Sequence, residues 1–190
     1  MDEAFQQAPA QRGIVLLLTG NGKGKTTSAF GSLFRALGHG QRVGVVQFIS
    51  GSQCTGEVTF LQQAGLLGQG GRSPVDYHAM ATGLTRHREG WLSADKAAAD
   101  RAWDQARRML ADASLQLVLL DEITFMLQYG YIAVADVLQA IQGRPPAQTV
   151  VITGRGAAPE LVALADTVSE IADTRHAFRA GVKAQPGVDF

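Results

Sequence analysis

Nine residues near the amino end, Thr19-Gly20-Asn21-Gly22-Lys23-Gly24-Lys25-Thr26-Thr27, limit the fold more than any other stretch of the chain. They follow a continuous apolar run over 14–19 and precede a segment with Phe30, Leu33, Phe34 and Leu37 at helical spacing, closed by Gly38 and Gly40. A run that is apolar throughout suits a strand covered on both faces, as in a parallel sheet flanked by helices. A glycine turn between such a strand and a helix aims several backbone N–H groups and the positive end of the helix dipole at one point. That is a cradle for phosphate. The stretch fits the phosphate-loop pattern G-x-x-x-x-G-K-[ST], except that Thr19 stands at its first glycine. The glycines would let phosphate approach the backbone, Lys25 would reach the terminal phosphates, and the Thr26 hydroxyl would ligate Mg²⁺.

The rest of the chain repeats the alternation. Apolar runs at 43–49, 75–80, 115–120 and 149–153 read as strands. Segments 26–37, 93–111 (with Ser93 as N-cap), 123–142 (as a pair) and 159–165 read as helices, and a further helical stretch reaches residue 66. The expectation is an α/β fold: a mostly parallel β-sheet with helices on both faces, in a single phosphate-loop NTPase-like domain over 13–190. Residues 1–12 form a polar lead-in. One strand, Leu117-Val118-Leu119-Leu120, ends in Asp121-Glu122, the position where phosphate-loop proteins carry the carboxylate directed at magnesium. Arg155, just past the 149–153 strand, lies where open parallel sheets bind ligands, and joins the loop as a candidate for ATP.

Composition excludes several function classes. Lysine plus arginine and aspartate plus glutamate are 17 each, which argues against sequence-blind nucleic-acid binding. The single cysteine, Cys54, excludes an intramolecular disulfide and suits a reducing compartment. No apolar stretch approaches the ~20 residues that span a bilayer, so the expected location is the cytoplasm, with no membrane partner. Asp76-Tyr77-His78, Trp91 and Trp103 read as structural, and Tyr129 and Tyr131 carry no assignable role.

Beyond the phosphate loop, the segments TGNGKGKTT, AFG, RALGHG, VGVVQFI, LVLLDEITFM, VVITGRG, LADTVSE and HAFRAGVKAQPGVDF occur in this order. The chain resembles the ATP:corrinoid adenosyltransferases, the family of cob(I)yrinic acid a,c-diamide and cob(I)alamin adenosyltransferases, from about Arg12 to Phe190. The resemblance implies transfer of the 5′-deoxyadenosyl group of ATP to cobalt(I) of a corrinoid, releasing triphosphate, in adenosylcobalamin biosynthesis or salvage. It implies Mg²⁺ as cofactor, a homodimer whose partner's amino-terminal segment covers the nucleotide, and a flavin-type reductase supplying cobalt(I). Carried over, Gly20, Asn21, Gly22, Lys23, Gly24, Lys25, Thr26 and Thr27 hold ATP, with Lys25 as the catalytic charge. Thr26 and Glu122 hold Mg²⁺, with the neighbouring Asp121 as the alternative ligand or as a support behind them. No protein nucleophile is expected, since cobalt itself attacks.

The departures from the family cluster on the corrinoid side. Ser50 and Gln53 stand where the family has lysine and tryptophan. A family stretch of glycine, phenylalanine, threonine and tryptophan appears as Gly83-Leu84-Thr85-Arg86. The family aromatics help displace the lower cobalt ligand, so Leu84 and Arg86 are the positions expected to alter corrinoid handling. Arg86, His87 and Arg88 read either as a solvated cluster or as a contact to corrinoid side chains. The competing functions are an ATP-binding paralogue without corrinoid chemistry and another phosphate-loop kinase or ATPase.

Overall fold

In the computed structural model, which describes residues 12–49, 55–68, 73–80 and 93–190, the continuous apolar runs become neighbouring parallel strands. The order is β1 (Val15–Thr19), α1 (Lys25–Gly38), β2 (Val43–Gln47), α2 (Gly56–Gln63), β3 (Leu67–Gly68), β4 (Val75–Ala79), α3 (Ser93–Ala111), β5 (Leu117–Asp121), α4 (Ile123–Gln128), α5 (Val134–Gln142), β6 (Thr149–Thr153), α6 (Pro159–Leu164) and β7 (Thr167–Glu170). A 3-10 turn follows at Ala177–Ala180. The seven strands form one sheet in the order β3-β4-β2-β5-β6-β1-β7, and every pairing is parallel. Parallel neighbours cannot be joined by a tight hairpin, and apart from the short link between β3 and β4 helices supply the crossovers.

The helices divide between the faces, as the runs require. Phe30 and Leu33 of α1 and Val58 and Leu61 of α2 pack with Val43, Val45, Leu117, Leu119 and Val151. Trp103, Ala106 and Met109 of α3, Ile123 and Met126 of α4, Val137 and Ile141 of α5 and Leu161 of α6 pack with the alternate residues Val46, Val118, Leu120, Val150 and Ile152. Strands β2 and β5 are buried at every position, so alternation is absent from their sequence.

Two strands were not foreseen. Strand β7 is exposed at all four residues, a polar edge with no apolar signature, and β3 is only two residues long. The pair at 123–142 separates at Gly130, whose φ of 68° suits glycine. Ser93 is the first residue of α3. Ahead of β7, Asp166 receives the Arg12 guanidinium and the Val15 N–H at 2.8 Å, which together hold its carboxyl down to about 2. Residues 1–11 lie outside the described residues.

Candidate active site

Because all strands point the same way, the carboxyl ends of β5, β6 and β1 lie side by side, and the groups that follow them converge. After β1 the chain turns through the glycine loop into α1, capped by Gly24 at φ 118°. Gly20 and Gly22 serve a purpose the sequence did not reveal. The Gly22 N–H donates to Ile171 O at 2.7 Å. A Cβ on Gly20 would lie 2.5 Å from Ile171 O, and one on Gly22 would lie 2.5 Å from Ala172 O. These glycines are thus demanded by the protein's own backbone beyond β7. Gly24 has open space around its Cα and is required for its positive φ.

Lys25 opens α1 only 5% exposed, and its Nζ donates to Gly22 O at 2.7 Å. Burial lowers its pKa, and the nearby Glu122 and Asp121 carboxylates oppose that shift. Thr26 donates from Oγ1 to Asp121 Oδ1 at 3.0 Å. Asp121 is almost wholly buried and takes two more donors, Thr153 Oγ1 at 2.7 Å and Gln47 Nε2 at 2.9 Å. Tyr77 OH, from β4, fixes the Gln47 amide through Oε1 at 2.5 Å. Burial pushes the Asp121 carboxyl up, and the three donors pull it back.

Glu122 is different. It is the sole non-glycine residue with positive φ, 59°, among the described residues. That conformation costs about 1–2 kcal/mol, and it turns β5 straight into α4 with no intervening loop. Its N–H donates to Thr153 Oγ1 at 2.9 Å, while its Oε2 is buried with no hydrogen-bond partner. Burial and the adjacent Asp121 push its carboxyl up, and Lys25 and Arg155 oppose them. Asp121 already takes three donors, whereas Glu122 Oε2 has none.

These residues line one cleft of about 870 Å³ that includes Gly22, Lys23, Gly24, Lys25, Thr26, Thr27, Gln47, Asp121, Glu122 and Arg155. Gly20 and Asn21 are not part of its lining: Gly20 rests on Ile171, and Asn21 faces solvent. Phe125 and Tyr129 from α4 also line it, their rings nearly parallel at 13° with centroids 6.2 Å apart. The segment Gly187 to Phe190 forms a further wall. Asp76 and His78 lie on β4 and line a separate recess with Arg108 and Asp112. Leu84, Arg86, His87, Arg88, Cys54 and Trp91 lie outside the described residues.

A family model for ATP:corrinoid adenosyltransferase BtuR/CobO/CobP matches residues 11–190. The chain belongs to this family. The corrinoid adenosyltransferase of Escherichia coli K12 is 50% identical over 190 residues, covering 100% of this chain and 92% of that one. The corrinoid adenosyltransferase CobA of Salmonella typhimurium LT2 is 47% identical over the same shares, and that of Pseudomonas aeruginosa PAO1 is 46% identical over 100% and 90%. Among solved structures, the Hef helicase domain of Pyrococcus furiosus aligns over 90% of this chain and 37% of that one, with a TM-score of 0.49 at 12% identity. The resemblance read from the ordered motifs is borne out. For an adenosyltransferase of this family, sequence reasoning missed Gln47, Tyr77 and Thr153, which fix Asp121. The signal for Gln47 was available: an amide in the otherwise apolar run VGVVQFI needs a buried partner.

Proposed function

We propose that this chain transfers the 5′-deoxyadenosyl group of ATP to cobalt(I) of a corrinoid. Cobalt(I) donates its electron pair to C5′, the C5′–O bond breaks, and triphosphate leaves with that bond's electrons. One observation carries the reading: in a member of this family, a buried Lys25 and an unpaired Glu122 oxygen share a cleft with the glycine loop. Gly22 to Thr27 hold the triphosphate through backbone N–H groups and the start of α1. Lys25 meets the charge that grows on the departing oxygen. Arg155, exposed at the cleft wall, adds a second cation.

The Thr26 hydroxyl and Glu122 fit a divalent cation, since Glu122 Oε2 is buried and uncommitted while Asp121 is already taken by its donors. Mg²⁺ there would neutralise charge on the triphosphate leaving group. Asp121 orients Thr26, and Gln47 and Thr153 orient Asp121. Residues 13–190 act as one adenosyltransferase domain. Family membership supports a homodimer, a flavin-type reductase as source of cobalt(I) and a cytoplasmic site of action. No helix among the described residues is long and apolar enough to cross a membrane.

Anaerobic mixing with MgATP and cob(I)alamin should give the spectral change of cobalt–carbon bond formation together with triphosphate. ADP would mean phosphoryl transfer instead; bound ATP with no product would mean a paralogue without corrinoid chemistry. Leu84 and Arg86 in place of family aromatics favour a corrinoid that lacks the lower ligand. Turnover should therefore be higher with such a corrinoid than with complete cobalamin, and Leu84→Phe with Arg86→Trp should narrow the gap. Equal rates and no gain would remove these positions from ligand displacement.

Glu122→Gln should raise the Mg²⁺ concentration for half-maximal activity, by about tenfold if one charged ligand is lost. Because the Glu122 carboxyl titrates above the ordinary glutamate range, protons compete with metal: the wild-type Mg²⁺ requirement should climb as pH falls. The variant should lose that dependence. If Asp121→Asn shows both effects and Glu122→Gln neither, the ligand is Asp121.

A further inference from the structure

Lys23 lies in the middle of the phosphate loop, yet its charge is already engaged. Its Nζ lies 2.8 Å from Asp189 Oδ1, with the two side chains 41% and 27% exposed. Asp189 is held in place by its own segment. The Gln185 N–H donates to Asp189 Oδ2 at 3.0 Å, the Asp189 N–H donates to Gln185 O at 2.8 Å, and the Gly187 N–H donates to Phe190 O at 2.8 Å. Gly187, Val188 and Phe190 line the cleft beside it. A carboxylate therefore sits where a phosphate-loop cation would meet a polyanion.

We propose that segment 185–190 is a strap across the phosphate loop in which Asp189 holds Lys23 until the triphosphate of ATP takes its place. The inference rests on the adenosyltransferase reading, and makes Asp189 a positioning residue that acts through Lys23. Two anions cannot share one exposed ammonium without repulsion, so triphosphate entry must shift the Asp189 carboxylate. After the reaction the strap's return would help expel the triphosphate product. The pair is partly solvated, so the competition is modest and depends on salt.

The test is calorimetric titration with inorganic triphosphate. Asp189→Asn should tighten binding by about three- to tenfold at low ionic strength, and the gain should shrink as salt is added. In a Lys23→Gln background most of that gain should disappear, and Asp189→Glu should restore wild-type affinity. Amide exchange over 187–190 should be faster with triphosphate bound. Unchanged or weaker binding in Asp189→Asn, an equal gain without Lys23, or slower exchange on binding would each overturn the strap. Lys25→Ala is the separate control: if it binds triphosphate as tightly as wild type, the phosphate-loop reading has failed, whereas its loss of binding beside an unaffected Asp189→Asn condemns the strap alone.

Discussion

Lys25→Ala should cut kcat/KM for MgATP by about a hundred- to a thousandfold, the scale seen when one preorganised charge-stabilising donor is removed. The expectation follows from where the ammonium sits. It is only 5% exposed and attached to the loop through Gly22 O, so its orientation is fixed before substrate arrives. Burial penalises the charge, and Glu122 and Asp121 support it. A cation kept in a desolvated place is worth most where negative charge is appearing, on the triphosphate oxygen that leaves C5′. The turnover number should therefore fall more than ATP affinity. Single-turnover kinetics with equilibrium ATP binding separates the two; an unchanged turnover number would remove Lys25 from the chemistry. Lys25→Arg should not rescue, because a planar, forked guanidinium does not reproduce a compact ammonium held at one fixed point.

Gly22→Ala should be the other severe change, and for a reason unrelated to nucleotide. The new Cβ would lie 2.5 Å from Ala172 O and 2.8 Å from Ile171 Cγ2. Backbone cannot yield as a flexible side-chain tip does. An overpacked contact of this kind costs about 1–3 kcal/mol and occasionally more, or roughly 2–12 °C in Tm for a chain of this size. Gly31→Ala, in the interior of α1 with nothing within 4 Å of the new methyl, is the matched control and should hold or raise Tm. Thermal melts without nucleotide decide it. If Gly22→Ala melts with the wild type and loses only ATP binding, the glycine serves the phosphate alone.

That pair of glycines shows what could and could not be read from sequence. The loop, the flanking strand and helix, and the carboxylates at 121 and 122 are local patterns, and each reads directly from adjacent residues. The buried strands are legible because burial on both faces leaves uninterrupted apolar runs. Strand β7 carried no such mark: Thr167 and Glu170 on an exposed edge resemble loop composition. The reason Gly20 and Gly22 must be glycine lies about 150 residues away, at Ile171 and Ala172, and no spacing rule reaches that far. The division of labour between Asp121 and Glu122 was equally hidden. It depends on donors from β2, β6 and α1 that meet one carboxylate and leave the other's Oε2 bare. The Lys23–Asp189 pair joins two surface charges that sequence alone would leave solvated.

Strand β1 enters the sheet between β6 and β7. The Ile14 N–H finds Thr149, 135 residues on, and the Val15 N–H finds Asp166, 151 residues on. During synthesis, then, the ribosome makes β1 long before either neighbour exists. Pairings of such separation are slow to form, and the apolar run over 14–18 must stay uncommitted or be shielded by a chaperone meanwhile. The loop behind it cannot settle either, because Ile171 and Ala172 brace it. Nucleotide therefore has no finished cradle to bind on a nascent chain and cannot template early folding. Strand β1 is made before both of its neighbours and is completed only once they exist.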